Sequence, residues 1–373
     1  MLNQVIKREY FIYFFFAIVY TLFLVGITTL TGVITINEAE KYISAAEKIS
    51  NGSTENILKD YIFYSSYIVF LTAIFLLGNT TTVVFVQAIL SFLAALCIKK
   101  TIDLLYKKSV ISYFAMLAYL LCFPVQSWVV TLFSDSFFVS ITTFTLFYTI
   151  KRTTWKENIL WSLLLIILIF ARPPGVFLAV PFVLYKLHFT KSISLKTASL
   201  LFAFAFCVLM LFTFTVPVES KGYITPIAAG RVIVDSSTYT VEGFNATEKN
   251  ALKNAYKFLS QKNGISGLLK LYLKKAISFF TLTRPYYSKT HNLIAFLHYL
   301  LYLLFLFGSF HLLNTEKKGT VLLFVICIFS LMHLVGITYN EWHYRFTIPI
   351  FPFLFIGGAG SIFFLKQIWK RDS

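Results

Sequence analysis

From Tyr10 to Leu30 the chain carries no charged side chain. A helix of that length reaches about 30 Å, the thickness of a bilayer's hydrocarbon core. The run is too long for the apolar core of a cleaved leader and has no convincing small-residue cleavage site, so it reads as a retained first span. Further apolar runs follow at 61–78, 80–98, 110–129, 137–150, 159–171, 175–187, 199–217, 293–313, 320–338 and 346–365. With 58% hydrophobic residues, 42 Phe and only 13% charged residues in 373 positions, soluble fold classes are excluded. The expected fold class is an all-α polytopic membrane protein.

Charge sets the expected topology. Lys7 and Arg8, Lys99 and Lys100 with Lys107 and Lys108, Lys151 and Arg152 with Lys156, Lys186 with Lys191 and Lys196, Lys317 and Lys318, and Lys366 with Lys370 and Arg371 punctuate the runs. Basic loops stay on the cytoplasmic side. All six clusters share that side if the run 61–78, "YIFYSSYIVFLTAIFLLG", dips in or lies along the outer surface without crossing. About ten transmembrane helices then remain, plus one outer juxtamembrane or re-entrant segment, with both termini cytoplasmic. The net charge of +17 is absorbed by this bias and by one long outer loop, and calls for no nucleic-acid partner. Cys97, Cys122, Cys207 and Cys327 all fall in apolar runs and read as packing residues.

The expected organisation has three parts. Residues 1–217 form an N-terminal transmembrane module whose outer loops, 32–79 and 130–136, carry chemistry. Residues 218–292 form an extracytoplasmic loop, and residues 293–373 a C-terminal transmembrane module. Within the loop, "TEKNALKNAYKFLSQKNG" sets Lys249, Lys253 and Lys257 opposite Leu252, Ala255 and Leu259, a surface helix. In "ISGLLKLYLKKAISFFTL" a polar stripe of Lys270, Lys274, Ser278 and Thr281 faces an apolar cylinder, which suits a helix in the headgroup plane.

Under this topology one face collects Glu38 and Glu40 in "TINEAEKYISAAEKISNGS", Asp135 in "LFSDSFF", Arg172 in "FARPPG", and Glu341, His343 and Arg345 in "YNEWHYRFTIPIFP". Ionisable groups at membrane depth are expensive and mark a site by default. Each also has a plain reading. The glutamates fit a solvated loop, Asp135 fits a helix cap between Ser134 and Ser136, Arg172 can snorkel at a helix break, and Arg345 can anchor at the interface beside aromatic residues. His343 has no second His or Cys at ligand spacing, so no metal site is expected. Taken together, carboxylates and arginines on one face suit displacement at a sugar carbon carried on a lipid phosphate. The carboxylate takes the proton of an incoming hydroxyl, and arginines hold the departing phosphate as charge builds on it.

Several segments resemble the polyprenyl-phosphate-dependent glycosyltransferases of the GT-C superfamily, which include protein O-mannosyltransferases and aminoarabinose transferases. Glu38-Ala39-Glu40-Lys41-Tyr42 with Ala46 and Asn51-Gly52 is similar to the acidic motif after the first span of that family, with Glu where Asp is usual. "CFPVQSWVVTLFSDSFF" looks like its second outer loop, "LIFARPPGVFLAVPFVL" like its basic break between short spans, and "HYRFTIPIFPFLF" like the start of a late span with Arg345, Phe346, Pro349 and Pro352. The resemblance implies an inverting hexosyl- or pentosyltransferase in the inner membrane, moving a sugar from a polyprenyl-phosphate carrier to a lipid-linked or cell-envelope glycan acceptor among the membrane lipids. It implies Glu38 as catalytic base, with Glu40 as the other candidate, and Asp135 as a second catalytic carboxylate. Arg172 and Arg345 would bind phosphate, with Tyr42, Tyr64 and His343 lining the substrate. No cofactor is required, although two carboxylates can work with a divalent cation. Two rival classes stay open: a transporter or flippase of lipid-linked sugars, and a polysaccharide ligase or polymerase using Arg231, Arg284 and His291. Paired broken helices, the sign of a transporter, are not evident in the sequence.

Overall fold

The structure is a computed structural model that describes residues 2–53, 61–107, 109–189, 194, 196–197, 200–201, 204, 221–234, 240–245, 251–341 and 343–369. The expected run at 199–217 and Trp342 lie largely or wholly outside the described residues. Helices dominate. In chain order they are α1 (Leu2–Thr31), α2 (Glu38–Ser50), α3 (Ser65–Phe75), α4 (Thr80–Tyr106), α5 (Ser109–Leu120), α6 (Phe123–Gln126), α7 (Ser134–Ile150), α8 (Trp155–Ala171) and α9 (Pro174–Phe189). These are followed by α10 (Lys221–Ala228), α11 (Ala251–Phe280), α12 (Lys289–Leu297), α13 (Tyr299–Leu313), α14 (Lys318–Ile337), α15 (Phe351–Gly358) and α16 (Ser361–Trp369). Two short strands, β1 (Ile233–Val234) and β2 (Asn340–Glu341), pair in parallel.

Among the described residues, five helical stretches are long and apolar enough to cross a bilayer: Glu9–Thr31, Thr80–Tyr106, Lys289–Leu313, Lys318–Ile337 and Ile348–Leu365. The chain is therefore a helical membrane protein. The run 61–78 forms one turn of 3-10 helix, Ile62–Tyr64, leading into the 11-residue α3. Together these reach roughly 20 Å, short of a hydrocarbon core.

The chain divides into two compact units. The first comprises Met1–Ala179, Leu301–Val321 and Phe351–Ser373, and the second Val180–Leu300 and Leu322–Ile350. Inside the first, the run 110–129 does not make one helix. Helix α5 stops at Leu120, Pro124 opens the single turn α6, and the chain then runs irregularly to Phe133. Irregular backbone survives at membrane depth where other groups satisfy its N–H and C=O. Two fully buried glutamines do this. Gln126 Nε2 donates to the Tyr119 carbonyl at 2.9 Å, while its Oε1 accepts from Tyr20 and Ser91 at 2.8 and 2.9 Å. Gln87 Nε2 donates to the carbonyls of Val129 and Thr131 at 2.8 and 3.3 Å. Near the other end of α4, Lys99 is buried, paired with Asp103 at 2.9 Å and set over the Tyr113 ring. The expected basic punctuation at this position is thus part of the packing.

In the second unit a core of Ile224, Ile227, Ala228, Val234, Leu252, Ala255, Leu259 and Tyr339 holds α10, β1 and the first half of α11 together. Gly264, at φ 68°, breaks α11 into the two helical patterns expected from the sequence. Lys253 and Lys257 are exposed opposite the buried Leu252, Ala255 and Leu259.

Candidate functional site

After α1 the chain turns through Asn37, at φ 60°, into α2. Glu38 and Glu40 stand in the first turn of that helix, where a carboxylate is favoured by the free N–H groups and the dipole. Glu38 lies 2.8 Å from Lys41 Nζ and accepts a 2.6 Å hydrogen bond from the hydroxyl of Tyr42, both on Oε1. Tyr42 itself is fully buried, tilted against Tyr64 at 5.2 Å and edge-on to Tyr67 at 5.4 Å. Lys41 Nζ sits 4.8 Å over the Tyr42 ring and 5.0 Å over that of Tyr64. Glu40 points outward and is exposed.

Asp135 opens α7 and Arg172 ends α8. The two form an ion pair at 1% and 2% exposure, with the guanidinium also over the Phe138 ring. The break that carries Arg172 is made by Pro173, Pro174 and Gly175. Arg172 is extended, Gly175 N–H bonds back to its carbonyl at 2.8 Å, and a Cβ on Gly175 would collide with the carbonyl oxygen of Leu168. Glycine is required there for α9 to fold back tightly enough to leave Arg172 facing α7.

These two groups belong to one end of the first unit. Ile34 and Thr131 form a parallel bridge, with Ile34 N–H bonding to Val130 and Leu132 N–H to Ile34, both at 3.0 Å. The bridge ties the segment before Glu38 to the segment before Asp135. Tyr67, in contact with Tyr42, also packs on Phe137, one turn into α7, at 5.8 Å. The bridge and the ring contact thus tie the helix that bears Glu38 and Tyr42 to the helix that bears Asp135, while Glu40 is exposed. Asp135 and Arg172 face each other, which the separate roles read from the sequence did not anticipate.

His343 and Arg345 lie in the second unit. Asn340 donates to the Ser278 carbonyl at 2.7 Å, Lys275 to that of Thr338 at 2.6 Å, and Thr347 to that of Phe279 at 2.5 Å, so the segment 338–347 is pinned along the end of α11. Tyr344, at φ 49°, turns the chain between His343 and Arg345. Arg345 is buried, with Nη1 3.4 Å from Glu341. His343 stacks near Tyr287, and burial beside His291 and Arg345 holds its imidazole down to about 4. Burial likewise lowers Lys275 to about 8.

Sequence reading passed over Gln87, Gln126, Tyr67 and Lys275. A signal existed for the glutamines, since an amide inside an apolar run needs a partner. Lys275 adjoins Lys274 in sequence, and only tertiary burial separates their roles. Among the described residues no group of three or more His, Cys, Asp or Glu side chains is placed to hold a metal. Compared with family models, curated proteins and solved structures, the chain matches none.

Proposed function

We propose that this chain is an inverting GT-C-type glycosyltransferase of the inner membrane, with about ten spans, cytoplasmic termini and its site on the outer face. The observation that carries this reading is that the Glu38, Tyr42 and Tyr64 group is tied, through the Ile34–Thr131 bridge and the Tyr67–Phe137 contact, to the helix that bears Asp135 of the buried pair with Arg172. The short α3 supports the non-crossing segment that places all basic clusters inside. Helices α7 and α8, at 17 residues each, lie at the lower limit for a span.

In the proposed reaction a hydroxyl of a lipid-linked or envelope glycan attacks the anomeric carbon of a polyprenyl-phosphate sugar. The bond from that carbon to the phosphate oxygen breaks, and its electron pair leaves on the polyprenyl phosphate. Glu38 takes the hydroxyl proton. Tyr42 and Lys41 fix the orientation of its carboxylate, which helps a base meet its proton at hydrogen-bond distance. Tyr64 offers an aromatic face to sugar or lipid. Arg172, always charged, binds the phosphate as charge develops, and Asp135 holds its fork in place. Arg345 and His343 are substrate-binding residues of the second unit. Either lipid-borne substrate gains from being held beside the other, because orientation replaces a bimolecular encounter.

The test uses wild type and Glu38→Gln in nanodiscs, a panel of polyprenyl-phosphate sugars and a membrane lipid extract as acceptor, with released polyprenyl phosphate measured by mass spectrometry. Release by wild type, reduced on the order of 10²–10⁴-fold by the substitution while the carrier still binds, is the expected result. Carrier bound and left uncleaved by both proteins, but moved across vesicles, would replace the transferase by a translocase.

A further inference from the structure

Arg284 lies in the turn between α11 and α12, 2% exposed. Its backbone is fixed by Asn292, whose Oδ1 accepts from Arg284 N–H at 2.8 Å and whose Nδ2 donates to the Arg284 carbonyl at 2.7 Å. The guanidinium Nη1 donates to the carbonyls of Thr281 and Thr283. Nε and Nη2 are shut off from solvent and have no hydrogen-bond partner among the described residues. These two nitrogens share one edge of the guanidinium plane, where their N–H bonds run parallel, the geometry that grips two oxygens of a carboxylate or phosphate at once.

An arginine cannot shed its proton to escape burial, as a lysine or histidine does. A buried charge without a counterion is strongly unfavourable, and buried polar atoms left unsatisfied are rare. Among the described residues no ion pair joins Arg284 to a carboxylate. Glu341 pairs with Arg345 through Oε1, while Lys275 adds a second buried nitrogen to this unit and Lys289 an exposed cation on the same turn. The local balance is positive, which matches a dianion better than a single carboxylate. The same turn carries the exposed residues Pro285, Tyr286, Ser288 and Lys289.

We infer that the Nε and Nη2 edge of Arg284 seats a phosphate group, free or carried on a lipid. The inference goes beyond the transferase reading, since it needs neither a sugar nor turnover.

Full-length protein in phosphatidylcholine nanodiscs is titrated with inorganic phosphate by calorimetry. In a second arm, phosphatidic acid is added to the nanodiscs, and the copies retained by the protein are counted by native mass spectrometry. Each arm is repeated with Arg284→Lys and Arg284→Gln. Wild type is expected to bind in at least one arm, which identifies the source of the phosphate. Arg284→Lys, which keeps the charge and loses the fork, is expected to bind about tenfold more weakly, and Arg284→Gln not at all. Undiminished binding by Arg284→Lys and Arg284→Gln, or no binding by wild type in either arm, overturns the site. If Arg284→Gln fails to fold, Arg284→Lys decides alone, because its retained charge still occupies the same buried position. A merely structural Arg284 would lower the unfolding midpoint of both variants and leave phosphate binding unchanged.

Discussion

In the first unit Arg172 faces Asp135 and Glu38 meets Lys41 and Tyr42, so each functional charge has a matching group within reach. The second unit is built differently. Arg345 has Glu341, but Lys275 is met by a backbone carbonyl and Arg284 by two more, with no ion pair to a carboxylate among the described residues. Matched pairs hold a fixed geometry whether or not anything is bound. An excess of buried cations is a demand that an anion can satisfy, and the two units differ in that respect.

The contrast can be broken most directly at the buried pair. Arg172→Met should lower stability by about 3–5 kcal/mol by stranding Asp135, and adding Asp135→Asn should return much of that loss. Unfolding of the single and double variants in one detergent checks this, and independent additive losses would mean that the pair is no unit. A smaller effect is expected at Lys275. The unfolded chain keeps its lysine proton up to the ordinary value of 10.5, whereas the folded protein releases it near 8. Stability should therefore rise between those pH values by up to about 3 kcal/mol and stay flat with respect to this group below them. Lys275→Met should remove the rise, and a profile unchanged by the substitution would show that the burial is not electrostatically costly.

His343 carries the next effect in the same unit. Its folded value of about 4 lies below the ordinary 6.5, so acidification through that window protonates the unfolded chain first and should cost up to about 3 kcal/mol, reduced by solvent screening of the partly exposed ring. Replacement by Asn should flatten the acid limb of a denaturation series. The smallest change belongs to the half-exposed contact in the first unit. Lys41→Met should alter stability by less than about 1 kcal/mol, so a large loss there would mean that Glu38 depends on its ion pair far more than its exposure allows.

Much of the helical pattern was legible. The runs 137–150, 159–171, 175–187 and 320–338 fall within or almost within α7, α8, α9 and α14, because an apolar run bounded by charge or proline leaves few alternatives. The run 110–129 misled because hydropathy counts Phe, Val and Trp alike in a helix and in irregular chain. Pro124, Gln126 inside the run and the distant Gln87 decided the outcome, and a partner about forty residues away leaves no local trace. At the candidate site, the residue types were readable from the sequence. The mutual pairing of Asp135 with Arg172 was not, since spacing along a chain does not tell which buried acid meets which base.

The bridge between Ile34 and Thr131 also bears on motion. Only three residues separate Ile34 from Glu38, so the carboxylate hangs on a very short tether from a point stitched to the neighbouring segment. Such a tether leaves little room for excursion, and α2 cannot swing aside as an independent flap. The amides around Ile34 and Leu132 should therefore be among the last in this loop to exchange with deuterium.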